Sequence, residues 1–180
     1  MTTSVIESQP VVHIAKISTC NSLSGLTQLD YALGYEVGSN DRLHIRILQS
    51  NGNGKYNACW WSLVSIEQSL SAVPAEGAFT ISALKPVFAG RSTNTLYFVL
   101  AALLDCGLLR RSDTVTNGYV RNTPTNLLAE LQALIQAGTN LSPPSMEKAA
   151  TSMATPDTKA TKAAGKKSSK AVAEVTQCLK

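Results

Sequence analysis

Long hydrophobic runs, catalytic motifs and clustered cysteines are all missing from this sequence, and each absence argues against a class of protein. No stretch approaches the roughly 18 uninterrupted apolar residues of a membrane-spanning helix. Residues 1–10 lack the apolar segment of a signal peptide, which favours a cytoplasmic protein with no membrane partner. The four cysteines are far apart and match neither metal-binding spacings nor a secreted disulfide framework.

Signatures of catalysis and of cofactor binding are also missing. The chain has no GxSxG, HExxH, GxGxxG or Walker-type phosphate loop. The glycine-rich residues 51–54 are not followed by the Lys and Ser/Thr of a phosphate loop, so they are interpreted as a hairpin turn. The only two histidines, His13 and His44, lie in strand-like segments and are expected to be packed or solvated. The sequence therefore predicts a non-enzymatic protein with no cofactor and no metal.

The positive charge belongs to the C-terminal segment. Residues 1–143 carry nine Lys/Arg and nine Asp/Glu, whereas residues 144–180 carry seven Lys and three Asp/Glu. The whole net charge of +4 therefore lies after residue 143. Any affinity of the preceding part for an anion must come from local patches.

A period of two in hydrophobicity predicts strands near the N-terminus. Over residues 29–37 one face carries the larger apolar side chains, which are Leu29, Tyr31, Leu33, Tyr35 and Val37. A turn at 38–41 and alternation over 43–47 complete an antiparallel hairpin. A third strand is expected at 55–63, and a less regular one at 11–17.

Residues 65–104 contain patterns that are typical of helices. Ser65 and Gln68 have capping-box spacing and predict a short helix that ends before Pro74. Residues 78–84 are ambiguous between strand and helix. Residues 92–104 are the strongest helix, apolar on every side from Leu96 onward, as is typical of a buried helix.

A tight hairpin and a last helix are predicted beyond this point. Asn117-Gly118 is a hairpin-turn dipeptide, and Tyr119 to Arg121 would form the returning strand. A helix starting near Thr123 or Thr125 would end at Gly138. Its apolar face would consist of Leu127, Leu128, Leu131, Leu134 and Ile135.

The order of helix, Ala89-Gly90 turn, helix and hairpin over residues 63–122 resembles that of winged-helix DNA-binding domains. In that family the second helix of the turn motif enters the major groove and the hairpin contacts the DNA backbone. The resemblance implies DNA contacts at the start of this helix and on the hairpin, by Arg91, Ser92, Thr93, Asn94, Arg110, Arg111 and Arg121. Because residues 97–104 offer almost no polar face for base edges, a buried core helix is the alternative interpretation.

The predicted fold class is α+β, with an N-terminal antiparallel hairpin or meander followed by a winged-helix-like helical part. One globular domain is expected over residues 1–141, β-rich over 11–63 and mainly helical with a hairpin over 64–141. Residues 142–180 are rich in Ala, Ser, Thr and Lys and contain no aromatic residue, so a disordered tail is expected.

The tail is similar to the Ala/Lys-rich tails of histone-H1-like and bacterial nucleoid proteins. The lysines that carry the similarity are Lys159, Lys162, Lys166, Lys167 and Lys170. The similarity implies binding to DNA phosphates with an affinity that falls as salt rises. A tail that only solubilises the protein is the alternative.

Residues 22–46, the Trp60-Trp61 pair and residues 90–109 resemble uncharacterised proteins of bacterial integrative elements and plasmids, which implies an accessory role. Only one of two adjacent strand residues can face the core, so Trp60 or Trp61 is a candidate for a protein interface. Two hypotheses therefore stay open: a DNA-binding accessory or regulatory protein, and a protein-interaction or structural module that pairs with a protein partner or with itself.

Overall fold

The first half of the described chain is a four-stranded antiparallel sheet. The computed structural model describes residues 11–143, apart from the side chains of Asn40 and Asp41. The strands are paired in the order β1-β2-β3-β4. Their bounds are β1 Val12–Asn21, β2 Gln28–Glu36, β3 Ser39–Ser50 and β4 Trp61–Ser62.

Strand β2 is the centre of this sheet, and the predicted alternation is confirmed over most of its length. Leu29, Tyr31, Leu33 and Tyr35 are all buried. Val37 is exposed because β2 ends at Glu36 and the chain turns there. Ala32 on the other face is also fully buried, so the middle of the sheet is covered on both sides.

The second half contains the helices and a smaller sheet. The helices are α1 Leu63–Ser69, a 3₁₀ helix Ile81–Phe88, α2 Thr93–Asp105 and α3 Thr125–Gln136. Three short antiparallel strands, β5 Phe79–Thr80, β6 Leu109–Arg111 and β7 Gly118–Arg121, are paired in the order β5-β7-β6. The chain is therefore of the mixed α+β class, as predicted.

Helix α2 is the central element of the core. Eight of its thirteen residues are buried, and it contacts β1, β2, β3, the 3₁₀ helix and β6. Both halves contribute side chains to the same hydrophobic cluster around it. The alternative of a buried core helix therefore describes most of α2. Gly107, at φ 78°, ends the helix with a conformation that glycine adopts without strain.

Two local predictions are wrong. The third strand is only Trp61–Ser62, because the backbone of Lys55 and Asn57 hydrogen-bonds to the start of α2 instead of to β3. Helix α1 begins at Leu63 and not at Ser65, so the capping-box interpretation fails. Residues 78–84, which are ambiguous between strand and helix in the sequence, contribute to both β5 and the 3₁₀ helix, and that helix contains Pro86.

The chain returns to its first strand after α3. The amide of Leu141 donates to the carbonyl of Ile14 at 2.8 Å, and the Ile14 amide donates to Asn140 Oδ1 at 3.2 Å. Lys16 on β1 forms an ion pair of 2.6 Å with Glu130 on α3. In the described part of the chain, no helix has the length and apolar character required to cross a membrane.

Candidate nucleic-acid interface

The first turn of α2 is bound to the loop that precedes β4. Ser92 Oγ donates a hydrogen bond to the carbonyl of Lys55 at 2.7 Å, and Asn94 Nδ2 donates to the same carbonyl at 3.2 Å. Ser92 occupies the N-cap position, but its side chain makes no capping bond to the helix. Two of the predicted DNA-contacting side chains are therefore engaged within the protein.

Asn57 completes this attachment. Its Oδ1 accepts the backbone N–H of Ser92 at 3.1 Å and the hydroxyl of Thr95 at 3.2 Å. Its own backbone N–H donates to Thr95 Oγ1 at 2.9 Å. Thr95 is fully buried, and these bonds satisfy its hydroxyl group as both donor and acceptor.

A narrow strip at the start of α2 stays open to solvent. Thr93 is exposed, and Tyr97, one turn later on the same face, is 42% exposed. Arg91 is half-buried immediately before the helix, with its backbone N–H bonded to the carbonyl of Phe88 at 3.1 Å. The exposed side chain of Lys55 lies on the neighbouring loop. The next turns of α2 are buried, so the strip is short.

The hairpin between β6 and β7 presents two exposed arginines. Arg110 forms an ion pair of 3.3 Å with Asp113 on the same hairpin. The guanidinium of Arg111 lies 5.9 Å from the ring centroid of Tyr119. The tight two-residue turn predicted at Asn117-Gly118 is wrong, because Gly118 is the first residue of β7 and residues 112–117 join the two strands; Asn117 has φ 56° at the end of that loop. Among residues 11–143, Arg110 is paired with a carboxylate and Arg111 is not.

Arg121 binds the protein itself. Its guanidinium donates to the carbonyls of Leu70, Val73 and Pro74. Its Nε also lies 2.7 Å from a carboxylate oxygen of Glu67. Glu67 lies in α1, Leu70 is the residue at its C-terminal end, and Val73 and Pro74 lie in the turn after it. Arg121 therefore joins β7 to α1 and is occupied by that role.

The two adjacent tryptophans lie on opposite faces of the sheet, as predicted, and only Trp61 is buried in the core. Trp61 is buried against Phe88, with 4.4 Å between ring centroids. Trp60 is half-buried on the opposite face of the sheet, where its ring edge lies close to Gly34 and the Arg46 guanidinium lies 5.8 Å from its centroid. Only Trp60 can therefore contribute to an interaction surface.

A cluster of titratable groups lies at the other end of α2, away from the strip. Tyr31 donates a hydrogen bond of 2.8 Å to Asp105. Burial, with the nearby charges of Asp105 and Cys106, raises the pKa of the Cys20 thiol to about 12. Burial likewise raises the pKa of Cys106, to about 11. Both thiols are therefore protonated at neutral pH and are poor nucleophiles.

Lys55 and Asn57 are the residues that sequence reasoning missed. Both lie in the segment interpreted as a strand, and they bond to backbone and side-chain groups 35 to 39 positions later. The one local signal is the polar Asn57 in the middle of a segment expected to be half-buried. The five lysines predicted to bind DNA lie outside the described residues.

Neither a metal site nor a similar protein indicates what this chain does. Among residues 11–143, no three His, Cys, Asp or Glu side chains are grouped so that they could hold a metal ion. The chain matches no family model, no curated protein and no solved structure. Function must therefore be inferred from the chain's own geometry.

Proposed function

We propose that the chain is a non-enzymatic DNA-binding protein of the winged-helix type. The supporting observation is the order and pairing of elements from α1 to β7. Helix, strand, 3₁₀ helix, helix and hairpin follow one another, and the strand joins the hairpin in a three-stranded sheet. Winged-helix domains have this order, and they bind duplex DNA through the second helix of the turn motif and the hairpin.

The contact surface on the folded part is small. Arg91, Thr93 and Tyr97 would face the duplex from α2, and Arg110 and Arg111 from the hairpin. The helix N-terminus carries partial positive charge, which favours a DNA phosphate beside Arg91. Because only this short strip is polar, most contacts would go to phosphates, and discrimination between sequences would be modest.

The lysines of the C-terminal segment would supply the larger electrostatic contribution. Each lysine that neutralises a phosphate releases a counterion, so affinity falls steeply with salt. The implied setting is an accessory or regulatory protein of a bacterial mobile element, acting in the cytoplasm.

The test is a fluorescence-anisotropy titration of the full-length protein with a random DNA duplex at low and moderate salt. A first variant, Arg91→Gln with Arg111→Gln, should weaken binding and reduce the salt slope by about 2. The matched control is Arg42→Gln, an exposed arginine on β3 outside the surface, and it should leave both unchanged.

A second variant separates the contribution of the C-terminal segment. Changing Lys159, Lys162, Lys166, Lys167 and Lys170 to Gln should reduce the slope by up to about 5. If this variant still binds and the arginine variant does not, the folded part provides the DNA surface. If the unaltered protein ignores DNA at low salt, the proposal fails.

A protein-interaction or structural module is the second candidate, and the charge of the described part favours it. Residues 11–143 carry nine basic and eight acidic side chains, so they lack the excess of positive charge that is typical of a DNA-binding domain. The half-exposed Trp60 is a suitable anchor at an interface. Sedimentation velocity over a range of concentrations should then show self-association that Trp60→Ala weakens; a strict monomer would count against self-association.

A further inference from the structure

Three Asn-Gly dipeptides occur in the chain, at 51–52, 53–54 and 117–118. Asparagine before glycine is prone to spontaneous deamidation, because glycine has no Cβ to shield its backbone nitrogen from the preceding side chain. The reaction needs the asparagine side chain and that nitrogen to approach each other. Hydrogen bonds that hold either group therefore oppose it.

Two of the three dipeptides are held in this way. Asn51 Oδ1 accepts the backbone N–H of Gln28 at 2.8 Å, and the Gly52 amide donates to Ser50 Oγ at 3.2 Å. The Gly118 amide donates to the carbonyl of Val115 at 2.8 Å, and Gly118 is buried at the start of β7. Both sites would have to break native bonds before reacting.

No such hydrogen bonds restrain the middle dipeptide, Asn53-Gly54, in the part of the chain that the structure describes. Asn53 is exposed, and within the described residues neither its side chain nor the Gly54 amide has a hydrogen-bond partner. We propose that Asn53 is a modification site, at which the folded protein deamidates selectively. The inference is independent of the function proposed above.

The reaction is intramolecular and consumes only water. The deprotonated Gly54 nitrogen attacks Cγ of Asn53, a nitrogen–Cγ bond forms, and the Cγ–Nδ2 bond breaks to release ammonia. Water then opens the five-membered imide. Cleavage at Cγ gives aspartate, and cleavage at the backbone carbonyl gives isoaspartate. Either product places a new carboxylate two residues before Lys55, whose carbonyl holds the first turn of α2.

The test is peptide mapping of full-length protein aged at neutral and mildly alkaline pH. Trypsin releases residues 47–55, with Asn51 and Asn53, and residues 112–121, with Asn117. Digestion at mildly acidic pH limits further reaction, and fragmentation spectra assign the site. Deamidation should accumulate at Asn53 several-fold faster than at Asn51 or Asn117, and faster at the higher pH.

Two controls decide whether the fold causes the selectivity. Asn53→Gln should remove most of the signal from residues 47–55, whereas the matched variant Asn51→Gln should leave it unchanged. In denaturant the three sites should react at similar rates, because the native bonds are gone. Comparable rates at all three sites in the folded protein, or the same strong preference for Asn53 in denaturant, would overturn the proposal.

Discussion

Thr95 and Asn57 hold each other by two hydrogen bonds, although 38 positions separate them in the chain. The Asn57 amide donates to Thr95 Oγ1 at 2.9 Å, and that hydroxyl donates to Asn57 Oδ1 at 3.2 Å. Thr95 is fully buried and Asn57 is half-buried, so the Thr95 hydroxyl cannot exchange these bonds for bonds to water. This pair fixes the loop before β4 against the first turn of α2.

Replacing Thr95 with valine should therefore lower the free energy of unfolding by about 1–3 kcal/mol, because the half-buried Asn57 amide loses its acceptor. Urea denaturation measures the change. Thr93→Val, at an exposed position on the same helix turn, should stay within about 0.5 kcal/mol. Equal effects of the two variants would show that the buried pair contributes little.

Arg121→Met should destabilise the protein by about 1.5–3 kcal/mol, since the carbonyls after α1 lose their charged donor. Arg121→Lys should recover only part of this loss, because an ammonium group cannot reproduce the forked geometry of guanidinium. The comparison is Arg111→Met on the exposed hairpin, which should be nearly neutral. Thermal unfolding of the three variants is sufficient to rank them.

Gly34→Ala should cost about 1–3 kcal/mol through overpacking. A Cβ at this position would lie 2.6 Å from the carbonyl oxygen of His13, 2.8 Å from Val12 Cγ1 and 2.9 Å from the ring of Trp60. Adding Val12→Ala should restore only part of the lost stability, because the His13 carbonyl belongs to the backbone of β1 and cannot move away independently. Full recovery in the double variant would mean that the His13 contact relaxes freely.

Stability should fall as the pH rises above about 9. The pKa of Cys20 is raised from 9.0 to about 12 in the folded protein. Between these values the unfolded chain loses a proton that the folded chain keeps, so unfolding becomes more favourable as pH increases. Urea midpoints at pH 8 and pH 10 test this, and Cys20→Ala should reduce the difference. A midpoint that does not change with pH would contradict the burial argument.

Local patterns predicted the elements whose shape depends on near neighbours. The alternation from Leu29 to Tyr35 identified β2, because pleating is a local property. The continuous apolar stretch after Leu96 indicated a buried helix for the same reason. Asn117-Gly118 indicated a hairpin, but the loop over residues 112–117 is longer than the tight turn that this dipeptide predicts.

Elements set by distant partners were not predictable. Residues 55–60 have strand-like composition, but Lys55 and Asn57 bond to α2 and not to β3. Arg121 looked like a free hairpin arginine, because the carbonyls it binds lie 47 to 51 positions earlier. Of the predicted contact residues in the described part, Arg91, Thr93, Arg110 and Arg111 keep accessible side chains, whereas Ser92, Asn94 and Arg121 are engaged.

The bond between Leu141 and Ile14 gives the described chain an almost circular course. Residue 141 lies beside the third residue of β1, so the path from residue 11 to residue 143 closes on itself. A short linker between these ends should allow circular permutation, with new termini in an exposed turn such as the one around Gly25. Tags or fusion partners attached directly at residues 11 and 143 would therefore leave the molecule at neighbouring points.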